Sequence, residues 1–350
     1  MNNRHVPDTR ALREAVAETA ESFHRKGYFP SAVISVFTPD AECCRVTVGG
    51  ARADTVYDVA SLTKIATATQ VLRLIDAGCL SLDDGILDVL PALSEHPILA
   101  DRLRDVTVAS LLTHTSGIVD WYPFYVEKGD FARVLAIALE RYGPVEGMVY
   151  SDLNFMLLGK AIEACRGGLP LEECLRRELV APLSLGRMTY RPDLAWDIAP
   201  SSYGNPIEES MCAERGLRFD GWRPHAPVRG EANDGNAYYY FGGVAGSAGI
   251  FADVDAYRAL GQYHLNAGSP LLHEAMREQA PTRGYGWQLG EMYPQGCGHT
   301  GFTGTSIYLS RALGVGVVAF TNRLYYPEAN PNATNDFRRA LHERVAGLFA

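Results

Sequence analysis

The chain has no run of basic residues, no apolar stretch of the roughly 18 residues that cross a bilayer, and no CxxC or HExxH spacing. Each absence excludes something. Without a basic patch, and with a net charge of -9, the chain lacks the electrostatic footprint of a nucleic-acid binder. Without a long apolar run no membrane span is expected. The opening MNNRHVPDTRALREAVAETAESFHRKGY has no apolar signal core and reads as an amphipathic surface helix, so a cytoplasmic location is expected. Seven scattered cysteines with no CxxC pair read as free thiols of a reducing compartment. Nine histidines without ligand spacing argue against a metal site, and GGVAGSAG (242–249) lacks the GK[ST] of a phosphate loop, so no cofactor is expected. There is no internal repeat and no low-complexity segment.

What remains is an ordinary globular composition, 47% apolar and 21% charged, over 350 residues, enough for one large domain or two lobes. SAVISVF (31–37) and CCRVTVG (43–49) read as strands joined by a hairpin turn at TPDAE. A helix runs from about Ser61. A long middle section is mostly helical, with DVTVASLLTHTSG, FARVLAIALERYG and FMLLGKAIEACRGG as its clearest patterns, and 196–248 is irregular. A helix resumes near Val254. GYGWQLG, TSIYLS and LGVGVVAFTN read as strands, and a helix covers roughly 334–348. Strands at both ends with helices between them suggest one antiparallel sheet built from both termini, flanked by helices, with a mostly helical lobe inserted: an α+β fold. The expected lobes are 1–60 with 280–350, and 61–279, with a cleft between them.

Within YDVASLTKIATA (57–68), Ser61 and Lys64 lie one helical turn apart and share a face with Ile65, Ala68, Leu72 and Ile75. A serine hydroxyl needs a base before it becomes a useful nucleophile. A lysine desolvated on that face is disfavoured as the ammonium and becomes a better base. The alternative is that Ser61 caps the helix and Lys64 reaches out to solvent. Two further stretches weigh against it. YSDLN (150–154) supplies a phenol, Tyr150, that can relay protons beside a cationic lysine. GHTGFTGTS (298–306) has the glycines that let backbone approach a ligand, and leads into a strand whose edge N–H can complete an oxyanion hole.

These three stretches, in this order, resemble the SxxK, YxN and KTG or HTG motifs of the penicillin-recognising serine hydrolases. The similarity is strongest to the class C β-lactamase-like branch with its esterases, D-aminopeptidases and DD-peptidases. AGCLSLDDGILDVLP, VTVASLLTHTSG and FGGVAGSAGIF agree as flanks, and the resemblance runs from about 30 to 325. It implies a β-lactamase/transpeptidase-like fold with the site in the cleft. Ser61 would be acylated, and Lys64 and Tyr150 would share the acid and base work. The N–H groups of Ser61 and Phe302 would form the oxyanion hole, with Asp152, His299, Thr300 and Gly301 facing a small-molecule acyl substrate.

Two departures matter. Asp152 stands where β-lactamases have Asn, and an ionised carboxylate can hold Lys64 but cannot donate to a substrate amide. His299 replaces a lysine, and a neutral imidazole attracts a carboxylate less than an ammonium does. Both point away from a working β-lactamase and toward an ester or a small amide. The same acyl-enzyme could serve an acyltransferase of natural-product biosynthesis, and a non-turnover binding or sensor protein is a third reading that the intact Ser61, Lys64 and Tyr150 oppose. His114 in LLTHTSG is expected to be a structural turn. WYPFY (121–125) and AYYYF (237–241) are candidate walls of an acyl pocket.

Overall fold

The computed structural model describes residues 7–326 and 334–350. In chain order its main elements are α1 (Thr9–Arg25), β1 (Ala32–Phe37), β2 (Glu42–Val48), α2 (Thr63–Asp76), α3 (Phe131–Tyr142), α4 (Asp152–Cys165), α5 (Pro206–Glu214), α6 (Val254–Asn266), β3 (Cys297–Thr300), β4 (Ser306–Ser310), β5 (Val315–Thr321) and α7 (Thr334–Phe349). The expected hairpin forms across residues 38–41, and β1 also pairs with β5 from the other end of the chain. The five strands run in the order β2-β1-β5-β4-β3, all antiparallel.

Both faces of this sheet are covered, which is why β1 and β5 are buried along their whole length rather than at alternate residues. The side chains still alternate between faces. Ile34, Val36, Val317 and Ala319 pack with Leu12 and Val16 of α1 and with Phe337, Leu341 and Val345 of α7. Val33, Phe37, Val318 and Phe320 point the other way, into the larger core that also holds Leu260 of α6 and Ile65 and Leu72 of α2. In α1 the buried residues Leu12, Val16 and Ala20 recur every fourth position, as an amphipathic helix requires. Asp8, Asp130 and Asp253 cap α1, α3 and α6 by accepting from backbone N–H groups.

Two sequence readings change. GYGWQLG forms no strand; Gln288 makes only isolated bridges, to Arg283 and to Gly298. Gly286 there takes a left-handed φ of 79°, which breaks regular pairing. Helix α6, expected in the helical lobe, lies on the sheet against β1, β4 and β5. Its Gly261 makes room for the Phe37 ring, since a Cβ there would come within 2.7 Å of it. Among the described residues no helix is long and apolar enough to cross a membrane.

The glycine-rich segment packs directly on the helices α2 and α4. Gly246 sits against Gly159 of α4, and its carbonyl accepts from the Thr67 hydroxyl of α2 at 2.8 Å. A Cβ on Gly246 would lie 2.1 Å from the Phe155 carbonyl oxygen, which is backbone and cannot turn aside. Gly246→Ala is therefore expected to destabilise the fold by roughly 1–3 kcal/mol, as overpacking does. Urea denaturation measures it, and a variant as stable as wild type would show that the segment can shift without cost.

Candidate active site

Ser61 lies in a single 3-10 turn, Ala60–Leu62, immediately before α2. Ala60 has φ of 47°, a strained value for a residue with a Cβ. The turn is held against that strain from several sides. Asp58 accepts from the Ala60 N–H at 2.8 Å, and the Thr305 hydroxyl donates to the Val59 carbonyl at 2.9 Å. The Thr303 hydroxyl donates to the Asp58 carbonyl at 2.7 Å. These threonines belong to the loop after β3, so the serine turn and that loop are pinned to one another.

Lys64 is completely buried. Its Nζ donates to Ser61 Oγ at 2.9 Å and to the Ser247 carbonyl at 3.0 Å, and lies 2.7 Å from Asp152 Oδ1. It also sits 5.0 Å from the centre of the Tyr150 ring. Burial pushes the lysine pKa down, but the Asp152 carboxylate and the Tyr150 phenol outweigh burial and raise it above its ordinary value. This corrects the expectation that desolvation would favour the neutral amine: Lys64 is held as an ammonium.

The start of α4 places Tyr150 and Asp152. His114, itself at φ of 58°, accepts from the Ser151 N–H at 3.1 Å, and the Ser151 hydroxyl donates to the Val119 carbonyl at 2.6 Å. The His114 ring lies 4.6 Å from that of Tyr150. Burial first, and then Arg283 and Lys64, hold His114 well below its ordinary pKa, so it is a neutral buttress behind the tyrosine.

His299, the residue before the end of β3, has its ring 5.9 Å from that of Tyr150. Its Nδ1 faces the Thr300 carbonyl at 2.9 Å, and a carbonyl only accepts, so Nδ1 carries the proton. Burial, with Lys64 and Arg283 nearby, keeps the ring neutral. Nε2 is then a buried acceptor with no partner among the described residues. Gly301 has no room for a side chain: a Cβ would meet the Thr305 hydroxyl at 2.1 Å and the Val59 carbonyl at 2.5 Å. The Phe302 N–H has no acceptor among the described residues, as an oxyanion donor requires.

Ser61, Tyr150, Asp152, His299, Thr300, Gly301 and Phe302 all line one cleft of about 480 Å³, with Lys64 immediately behind Ser61. Of the aromatic stretches only Trp121 reaches it; Tyr122, Phe124 and Tyr125 are buried packing. Ala248 is the contribution of the glycine-rich segment. The cleft also contains residues that no motif announced. Arg283 is only 8% exposed, stacks 5.2 Å from the Tyr150 ring, and its guanidinium has no hydrogen bond or ion pair among the described residues. Glu208 of α5 and Asp234 add two carboxyl groups beside Asp152. All three come from loops or from the stretch read as irregular, where no periodic signal marks a residue.

The arrangement and its fold are those of a serine hydrolase of the β-lactamase/transpeptidase-like kind. The family model described as Beta-lactamase matches residues 12–341, and the chain belongs to that family. Its sequence is 28% identical over 316 residues to the N-acetylmuramyl-L-alanine amidase of Bacillus subtilis (strain 168), spanning 79% of this chain and 71% of the amidase. It is 27% identical over 312 residues to a putative D-alanyl-D-alanine carboxypeptidase of Escherichia coli (strain K12), with the same coverage of both chains. The fold matches that of EstCE1, a hydrolase with promiscuous acyltransferase activity, with a TM-score of 0.70 at 18% identity over 97% of this chain and 99% of that one.

Two measurements follow from the charges. Asp152→Asn removes a carboxylate that raises Lys64 and leaves burial to lower it, so Lys64 loses its proton at lower pH. The pH dependence of acylation is expected to shift to lower pH on its basic side; an unchanged profile would mean that Asp152 does not govern Lys64.

Glu208 accepts from the Gly235 N–H at 2.7 Å and from the Tyr125 hydroxyl at 3.0 Å. Burial first, and then Asp234, push its pKa up. The folded state therefore holds a proton that the unfolded chain releases, and stability is lost as pH rises from the ordinary carboxylate range through the raised value. Glu208→Gln imitates the protonated acid. Between about pH 5 and pH 8 it is expected to lose less stability than wild type, by roughly 1 kcal/mol or more. Equal losses in urea denaturation would show that Glu208 folds in already ionised.

Proposed function

We propose that the protein cleaves an ester or a small amide through an acyl-enzyme on Ser61. The observation that carries this reading is the contact of Lys64 Nζ with Ser61 Oγ at 2.9 Å while Asp152 holds the same ammonium at 2.7 Å. A lysine that donates to Ser61 Oγ leaves the serine's own hydrogen free to point elsewhere. Tyr150, lining the same cleft near the Lys64 and Arg283 cations, relays it: the phenol oxygen takes the serine proton as its own hydroxyl proton passes on toward the leaving group. Ser61 Oγ then bonds to the substrate carbonyl carbon, and the Ser61 and Phe302 N–H groups take the developing oxyanion. The bond to the leaving group breaks as the proton relayed by Tyr150 reaches it. Water, activated by the same tyrosine, releases the acid and restores Ser61.

The names of the Bacillus and Escherichia relatives, an amidase and a putative carboxypeptidase, support amide cleavage within this class. EstCE1, described as a hydrolase with acyltransferase activity, supports a second reading in which an alcohol or amine replaces water. Seven thiols, all unpaired in the structure, suit a reducing compartment such as the cytoplasm.

A fluorophosphonate is expected to label Ser61, with the adduct located by mass spectrometry. Labelling that persists in Ser61→Ala sinks the reading. Tyr150→Phe should lower turnover of an activated ester by roughly 10² or more, the scale for losing a positioned proton-transfer group. A loss of only a few-fold would remove Tyr150 from the relay.

A further inference from the structure

A second cavity of about 350 Å³ opens beside the cleft. Both volumes fall in the range of small-molecule sites, roughly 300–1,000 Å³. Glu208, Asn233, Phe302 and Arg323 line both cavities, so the second is an annex of the first. Its far walls are mostly apolar, with Tyr203, Ile207, Leu324 and Tyr326 beside the polar Ser202, Asn205, Ser210 and His225, and Phe302 lines it where it meets the cleft.

Two observations say that this annex takes a ligand. Only three large apolar side chains are more than a third exposed among the described residues, and two of them, Ile207 at 37% and Phe302 at 43%, line this one cavity. Apolar surface left open beside a reactive serine is surface that a substrate can cover. The walls are also preformed. Ser202 and Leu324 are joined by a backbone bridge, and Tyr203 stacks on Tyr325 at 5.0 Å with an interplanar angle of 7°. A rigid apolar cavity binds without first having to order itself.

The direction of the substrate follows from the proton relay. Tyr150, Arg283 and His299 lie together at one end of the cleft and none of them lines the annex. The leaving group must take its proton at that end. The acyl substituent, on the other side of the same carbonyl carbon, runs the other way, past Glu208 and Phe302. We propose that the annex is the acyl subsite, and that it receives an apolar acyl arm. This rests on the Ser61 acyl-enzyme proposed above.

Two isomeric esters separate the possibilities. Ethyl hexanoate carries its chain on the acyl side and hexyl acetate on the alcohol side. Each buried methylene is worth about fourfold in binding, so ethyl hexanoate is expected to exceed ethyl acetate in kcat/KM by at least tenfold. Ile207→Trp, which fills the annex, should cut that ratio by at least tenfold and affect the hexyl acetate to ethyl acetate ratio less. A hexanoate-to-acetate ratio near one, or a ratio that Ile207→Trp leaves in place, overturns the proposal. A loss confined to hexyl acetate overturns the assignment to the acyl side. Ligand-observed NMR with hexanamide and acetamide reads the annex without turnover. Tighter binding of hexanamide that Ile207→Trp abolishes supports the subsite, and equal binding of the two amides overturns it. Failure of every ester to acylate Ser61 would instead count against the acyl-enzyme, with the amide titration still deciding whether the annex binds an apolar chain.

Discussion

One buried ammonium organises this molecule. Lys64 has no access to solvent, and a charge in that position is tolerable only if it is paired and hydrogen-bonded. Its partners come from separate parts of the chain: Ser61 from the turn before α2, Asp152 from the start of α4, and the Ser247 carbonyl from the glycine-rich segment. To satisfy the lysine, all of these segments have to meet. The requirement explains the close packing nearby, because Ser247 reaches the lysine only if Gly246 can lie directly on α4. It also explains the burial of His114, whose neutral ring holds the Ser151 backbone and with it the positions of Tyr150 and Asp152 on either side.

The rest of the cleft divides by charge. Lys64 and Arg283 lie 5.0 and 5.2 Å from the centre of the Tyr150 ring, so in the proposed reaction negative charge developing on the phenol oxygen or on a departing group would meet two cations. Glu208 and Asp234 occupy the other part, where burial first, and then neighbouring carboxylates, favour their protonated forms. A cleft with an electropositive end near the relay and a nearly neutral, proton-holding wall leading to an apolar cavity is asymmetric. It gives the two halves of a substrate different surroundings.

Much of this was readable from the sequence, for reasons that are specific to particular residues. The strands at 32–37 and 315–321 announce themselves by continuous apolar runs bounded by turn residues. The three motifs point to Ser61, Tyr150 and His299, which the structure brings into one cleft, and the family match bears out the resemblance they suggested. The charge state of Lys64 was harder. Its burial follows from the helical face, but the winner between burial and carboxylate depends on a distance of 2.7 Å that no spacing encodes. GYGWQLG looked like a strand because apolar residues alternate with polar ones or glycine, and its glycines instead bend it into bridges. Arg283, Glu208 and the annex were invisible. They arise where segments far apart in the chain converge, and their local sequences carry neither period nor motif.

The pairing of β1 with β5 has a consequence for the way the chain is made. Ile34 finds its partner in Ala319, 285 residues further along the chain (319 − 34). Contacts of such long separation form slowly, since the intervening chain must be brought together first. During synthesis the β1–β2 hairpin emerges before β5 and must wait, with one long apolar edge unpaired, until residues 315–321 have left the ribosome. For that interval an apolar strand edge open to aggregation is exposed. Burial of β1 therefore depends on the last strand of the sheet to be synthesised, which makes the yield of folded protein sensitive to anything that delays or removes residues 315–321.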